Sequence, residues 1–199
     1  MQVVQATGKG AQVLKFDAAG NATAEKPGET FWVDGRINQS ELPDGVEAVR
    51  ASAAGPDGSM WLVADLSAGA ANQPIKGQSD VALLKVDSSG RVVSTRLLGA
   101  AAQASGYAIA VSDDGRVAVA GSVIGGLDAS QTGADARIAD SFVTVFGADG
   151  AEQWTQRRGA RAEDEATAVS FGENGQVFVA GRAKSAMPGA AALGGWDGY

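Results

Sequence analysis

Residues 80–121 read DVALLKVDSSGRVVSTRLLGAAAQASGYAIAVSDDGRVAVAG, and residues 140–181 read DSFVTVFGADGAEQWTQRRGARAEDEATAVSFGENGQVFVAG. The two stretches align without a gap at a shift of 60 positions, the distance from Asp80 to Asp140. This shift superimposes four glycines, at 90/150, 99/159, 115/175 and 121/181. Chance would rarely keep these glycines and the final strand pattern together. The chain therefore contains an internal repeat, the mark of propellers and related arrays.

A looser first copy begins with AQVLKFDAAG at residues 11–20 and resumes with PDGSMWLVA at residues 56–64. Its two turn glycines lie 38 residues apart, against 25 in the second copy. The difference predicts an insertion of 13 residues within 21–50. Insertions of this kind belong in loops on one face of a repeat array.

Alternating apolar residues and turn signals predict four strands in each copy. The predicted strands are VALLKVD, RVVSTRLLG, YAIAVS and RVAVAGS in the second copy, and SFVTVFG, AEQWTQRRG, ATAVSF and QVFVAGR in the third. The turns between them, such as DSSG, DDG and ENG, place glycine where φ must be positive and a polar side chain where it can bond the backbone. The segments VAVAG (117–121) and VFVAG (177–181) are small and apolar on both faces, so both are predicted to be core.

Four strands per copy correspond to one propeller blade, so we predict an all-β fold, a β-propeller fragment built from four-stranded antiparallel blades. Residues 1–199 form a single propeller segment. It divides into the last strand of a preceding blade (1–9), a blade with the insertion at 21–50 (10–79), two further blades (80–139 and 140–195) and the start of another (196–199). The outer blades would expose faces that normally bury against neighbours, so a protein partner or self-association through the terminal blades is expected.

Composition excludes several function classes. The 199 residues include no cysteine and no histidine, which removes disulfides, thiolate nucleophiles and the commonest general base. The net charge of −7 disfavours nucleic acid as a partner. No run of about 18 apolar residues is present, so membrane insertion is not expected. The N-terminus MQVVQATGKG shows no targeting segment.

The repeat units resemble those of the bacterial SBBP repeat family. The matching residues are DVALLKVDSSG with YAIAVSDDGRVAVAG, and DSFVTVFGADG with ATAVSFGENGQVFVAG; the terminal WDGY is similar to the start of a unit. The resemblance implies a propeller in a large, often exported or surface protein, hence an extracellular or cell-surface location. Similar alanine- and glycine-rich repeats resemble flagellum-associated proteins of alphaproteobacteria.

Carboxylates are the only candidates for chemistry, since a pair across a substrate could hydrolyse a glycoside. The visible clusters are Asp113 with Asp114, and the run at 163–165. We interpret the first as a hairpin turn and the second as a solvated loop. Asp80, Asp140 and Asp197 recur at blade starts, and we expect them to bond backbone amides rather than a metal. No calcium-loop pattern is present.

Two further groups have a binding and a structural interpretation. Arg157, Arg158 and Arg161 could hold a carboxylate or phosphate, but pairing with the acidic run at 163–165 is the simpler account. The four tryptophans could stack on sugars, but as large fillers between blades or at an edge they fit an aromatic-poor sequence better. They are Trp32, Trp61, Trp154 and Trp196.

The sequence therefore predicts no catalytic, cofactor-binding or metal residue. The leading hypothesis is a non-catalytic scaffold for protein–protein or cell-surface interaction in an exported or flagellum-associated bacterial protein, with variable loops such as 122–139 lining one face. A carbohydrate-binding or carbohydrate-active propeller and a structural self-assembling segment remain as alternatives.

Overall fold

The fold is known from a computed structural model that describes part of the chain. It describes the backbone of residues 2–7 and 10–15 and all atoms of residues 42–126, 137–159, 162–186, 189 and 191–199, with residues 19 and 21. The predictions for Trp32 and Arg161 concern residues outside this set. So do most of the insertion at 21–50 and the middle of the loop at 122–139.

Thirteen β-strands make up the regular structure of the described residues. They are β1 Gln2–Thr7, β2 Gly10–Lys15, β3 Val46–Ala54, β4 Met60–Leu66, β5 Asp80–Val86, β6 Val92–Leu98, β7 Gln103–Val111, β8 Val117–Ile124, β9 Ala139–Phe146, β10 Glu152–Arg158, β11 Asp164–Phe171, β12 Val177–Ala183 and β13 Asp197–Gly198. The fold is all-β and antiparallel, and the eight strands predicted in the second and third copies are confirmed. Within the described residues, no helix has the length and apolar character needed to cross a membrane.

The strands form a two-stranded ribbon, β1–β2, and three larger sheets. Sheet 1 contains β3 to β6, sheet 2 contains β7 to β10, and sheet 3 contains β11 to β13, each in chain order. The prediction that the four strands of one copy share a sheet is wrong. Positions 80 and 140, where predicted blades begin, lie at β5 and β9, the third strands of sheets 1 and 2. A repeat reveals its period, but the strand at which a sheet begins depends on pairing across the longer loops, as in Leu66↔Asp80.

Five hairpin turns share one geometry. In each, the glycine has a positive φ of 74° to 84° and donates its amide to the carbonyl three residues earlier, at 2.9 to 3.2 Å. The glycines are Gly58, Gly90, Gly115, Gly150 and Gly175. At Gly90, the Asp87 carboxylate also accepts the amides of Ser89 (2.8 Å) and Arg91 (3.1 Å). The predicted turn chemistry is therefore confirmed.

The sheets stack in chain order, and we call the face toward the preceding sheet upstream and the face toward the following sheet downstream. The downstream face of sheet 1, with Trp61 and Val63, packs on the upstream face of sheet 2, with Val117 and Val119, in one buried cluster. The contacts repeat: β7 lies against β3, β4 and β5, and β11 lies against the equivalent strands β7, β8 and β9. The upstream face of sheet 1 carries a second cluster around Leu62 and Leu84.

The predicted core strands differ in burial. VAVAG in β8 is fully buried, which confirms the prediction, whereas VFVAG in β12 alternates between half-buried and exposed residues. The prediction is wrong for β12 because its downstream face has no covering sheet among the described residues, so Phe178 is 62% exposed.

Gly121 lies where two strands and an aromatic ring converge. A Cβ at this position would lie 2.0 Å from the Ser105 carbonyl oxygen, and the Phe142 ring fills the space beside it. Gly181 repeats the arrangement with the Glu165 carbonyl, also at 2.0 Å, and the Tyr199 ring. Glycine is therefore required in sheets 2 and 3, where an aromatic ring lies beside it; in sheet 1 the equivalent residue is Ala64, which pairs with the small Ala82.

We predict that Gly121→Ala lowers the free energy of unfolding by about 3 kcal/mol, because the added carbon overlaps a backbone oxygen in the interior. Gly58→Ala is the matched control: its Cβ would meet nothing within 4 Å. It should lose only about 1 kcal/mol, from left-handed strain. Urea unfolding of both variants measures the difference, and equal losses would contradict the proposed close approach.

Candidate interaction surface

The recurring aspartates hold the loops that precede the third strand of each sheet. The buried Asp80 carboxylate accepts the backbone amides of Lys76 (2.9 Å) and Gly77 (3.4 Å). Asp197 repeats this with the amides of Leu193 (2.8 Å) and Gly194 (3.3 Å). The expected backbone role is therefore confirmed at both positions.

Asp140 serves the same position through a different partner. The Arg157 guanidinium donates to its carboxylate, with Nε at 2.6 Å, and also to the Gly125 carbonyl oxygen at 2.6 Å. Gly159 lies so close that a Cβ there would overlap the Asp140 carboxylate. The predicted pairing of Arg157 with the run at 163–165 is wrong, because Asp140 lies diagonally across from Arg157 on the adjacent strand, two residues from Phe142, which is opposite Arg157.

The acidic run lies at the start of a strand: Glu163 precedes β11, and the interpretation of the run as a solvated loop is wrong for Asp164 and Glu165, which belong to β11. Asp164 begins β11 and is fully buried, and Glu165 faces Arg182 across the ladder, with an ion pair of 2.8 Å. Glu163 pairs with Lys184 at 2.6 Å, and this ammonium lowers the pKa of the Glu163 carboxyl. The ion pairs of the run at 163–165 therefore hold β11 against β12. The sequence did not predict them, because Arg182 and Lys184 lie some 20 positions away along the chain.

Asp113 and Asp114 lie in the β7–β8 turn, as interpreted. A groove of about 500 Å³ separates this turn from the β11–β12 turn. Arg116 crosses it, pairing with Asp114 at 2.9 Å and lying 5.3 Å from the centre of the Phe171 ring. The Ser112 hydroxyl and then the Arg116 guanidinium lower the pKa of Asp114 to about 2. Within the described residues, no cluster of three potential metal ligands occurs.

The tryptophans divide between the interior and the surface. Trp61 is buried between sheets 1 and 2, so its predicted role as a filler is confirmed. Trp154 is 38% exposed and Trp196 is 40% exposed. The Arg182 guanidinium and the Lys184 ammonium lie 4.5 and 4.9 Å from the centre of the Trp196 ring. The Trp196 ring is thus held against the end of β12 by two cations.

Phe178, Ala180, Arg182 and Trp196 form the downstream face of sheet 3, which is our candidate interaction surface. Phe178 is 62% exposed, whereas its counterparts Trp61 and Ala118 are 2% and 0% exposed. The face combines an aromatic ring, an indole and a guanidinium, the groups that dominate the centres of protein interfaces. The sequence held a signal for it, because Phe178 replaces the small Ala118 within an otherwise matching strand.

Within the part of the chain that the structure describes, sheet 3 also has a largely unpaired strand edge beside this surface. Gly181 exchanges two backbone hydrogen bonds with Tyr199, at 3.1 and 3.2 Å. Backbone groups alternate sides along a strand, so those of Val177 and Val179 point to the same edge as those of Gly181. Among the described residues, β13 pairs with β12 only at its end, and no strand covers the rest of this edge.

The comparisons with known proteins add one finding on the family and one on a relative. No protein-family model matches the sequence, so the resemblance to SBBP repeats stays a prediction. The chain is similar to the regulatory protein FlaEY of Caulobacter vibrioides, with 45% identity over 207 aligned positions. The alignment covers 94% of this chain and 21% of that protein, so the chain spans about a fifth of its relative's length.

We predict that Asp80→Ala lowers the free energy of unfolding by about 2 kcal/mol, because it leaves two backbone amides without their acceptor in a buried place. Asp113→Ala removes an exposed turn carboxylate and should change stability by less than about 0.5 kcal/mol. Chemical denaturation of the two variants distinguishes them. If Asp80→Ala is as harmless as Asp113→Ala, the recurring aspartates do not organise the loops.

Proposed function

We propose that the protein is a non-catalytic scaffold of β-propeller type that supports protein–protein or cell-surface interaction in a flagellum-associated bacterial protein. The observation that carries this proposal is the repeated stacking of sheets. Strand β7 lies against β3, β4 and β5 just as β11 lies against β7, β8 and β9. A stack built by one repeated step is the construction principle of a propeller.

The side chains favour a scaffold over an enzyme. The sequence supplies neither histidine nor cysteine. The described carboxylates that could act in catalysis serve the fold: Asp114 binds Ser112 and Arg116 in its turn, and Glu165 pairs with Arg182. A general acid needs a raised pKa, whereas Asp114 has a lowered one. These residues are suited to fixing turns and strands.

The setting rests on two grounds. The repeats resemble those of exported, surface and flagellum-associated proteins, and the chain is 45% identical to the matching part of the regulatory protein FlaEY. We propose an extracellular or cell-surface location on the first ground, and the flagellar association on both. The partners are proposed to be proteins that contact the loops and the downstream face of sheet 3.

A segment exchange tests the proposal. The matching segment of FlaEY in C. vibrioides is deleted, or replaced by residues 1–199 of this chain, and swimming in soft agar is measured. We expect the deletion to reduce swimming and the replacement to restore it, because the scaffold supplies the same surface. Asp113→Asn with Asp114→Asn should restore it equally, since no carboxylate chemistry is involved.

The destabilised Gly121→Ala chain is the negative control for this exchange. If a stable, normally abundant replacement restores swimming no better than the deletion, the flagellar role is wrong. If the paired Asn variant is as stable and abundant as the unchanged replacement and it alone fails, the turn carboxylates have a chemical role and the protein is not a passive scaffold.

A further inference from the structure

We propose that the downstream face of sheet 3, together with the open edge of β12, docks a further sheet of this same repeat type. The docked sheet would present the upstream face that sheet 2 presents to sheet 1. This proposal rests on the propeller-type scaffold and goes beyond it by naming the occupant of one surface.

The first support is the burial of equivalent residues on the second strand of each sheet. Trp61 in sheet 1 and Ala118 in sheet 2 point into the next sheet and are 2% and 0% exposed. Phe178, in the same position of sheet 3, is 62% exposed. The same strand position is thus covered by the following sheet in sheets 1 and 2 and is exposed in sheet 3.

The second support comes from the residue that precedes each recurring aspartate. Ser79 touches the following sheet: its carbonyl accepts the Ala104 amide at 2.8 Å, and its hydroxyl donates to the Ala104 carbonyl at 3.2 Å. Trp196 stands in the equivalent position of sheet 3 and is 40% exposed. A large aromatic group therefore lies where the stack makes its next contact.

The third support is the edge of β12. In sheet 2, Ala118 and Ala120 of β8 pair with Val145 and Val143 of β9. The corresponding stretch of β12 around Val179 has no such partner among the described residues. A cavity of about 240 Å³ lies alongside, between sheets 2 and 3. A strand with the pattern of β9 would complete this ladder.

The occupant's chemistry follows from the interface between sheets 1 and 2. The upstream face of sheet 2 consists mainly of valine and phenylalanine, and Gly106 lets Val63 of sheet 1 approach closely. An upstream face of valine and phenylalanine would give the Phe178 ring an apolar surface on which to pack. Aromatic and guanidinium groups at the centre of an interface are the ones that bind most strongly.

An extended chain tests the proposal directly. Tyr199 occupies the position of Phe142, so residues 143–199 are appended after Tyr199 in the register in which Val143 follows Phe142. The appended segment is the probe, and it should complete sheet 3 and build a fourth sheet. Hydrogen exchange should show the amides of Val177 and Val179 exposed in the 199-residue chain and protected at least tenfold in the extended chain.

The variant Phe178→Asp tests, in the same two proteins, whether the downstream face of sheet 3 is covered. We expect it to lower the thermal midpoint of the extended chain by roughly 5 °C or more, because a charge is then buried, and to leave that of the 199-residue chain within about 1 °C. Val93→Asp, at another exposed strand residue, should affect both proteins equally.

Three outcomes would overturn the proposal: unprotected amides in the extended chain, equal effects of Phe178→Asp in both proteins, or sedimentation of the 199-residue chain as a dimer that Phe178→Asp dissociates. The last would assign the face to a second copy. None of these measurements depends on swimming, so failure here is distinguishable from failure of the flagellar role.

Discussion

The close approach of neighbouring sheets is the constraint on which the rest of the structure depends. A Cβ on Gly106 would lie 2.3 Å from a methyl carbon of Val63, so the first interface closes only because that Cβ is absent. In the second interface the small Ala166, which is 1% exposed, takes the place of Gly106. Close packing gives each side chain many weak attractive contacts that a gap would forfeit. Strands β4 and β8 are buried on both faces as a result.

This constraint pushes polar chemistry to the ends of the strands. Asp80 is the informative example, since its carboxylate is fully buried, bonds two loop amides and fills the space that a side chain at Gly99 would need. A buried carboxylate with such partners organises backbone. Sheet 3 repeats the device with Asp197, and its downstream face then presents Phe178 where the earlier sheets are covered. The same packing of sheet on sheet thus stabilises the described fold and, at sheet 3, supplies the surface proposed for docking.

Local features were predictable from the sequence, and long-range pairing was not. Turn glycines such as Gly90 have a local cause, a positive φ, so their positions in the sequence marked the hairpins. The assignment of strands to sheets depends on whether β5 pairs with β6 alone or with β4 as well. The alternation of apolar residues within β5 is the same in both cases. Phe178 was predicted to be core because its strand matches β8, but burial depends on a neighbouring sheet that a strand's own residues do not encode.

Paired cysteines in this cysteine-free chain test most directly whether the two sheet interfaces are equivalent. The double variants Val63→Cys/Gly106→Cys and Ala120→Cys/Ala166→Cys place thiols at matching points of the first and second interfaces. In the first variant, Val63→Cys replaces the valine whose methyl carbon a Cβ at position 106 would overlap. Disulfides form only where Cβ atoms lie about 3.5 to 4.5 Å apart. If the two interfaces are equivalent, mass spectrometry after mild oxidation finds one intramolecular disulfide in each variant, and none in Val63→Cys/Ala166→Cys. A second variant that stays reduced while the first oxidises would contradict this equivalence.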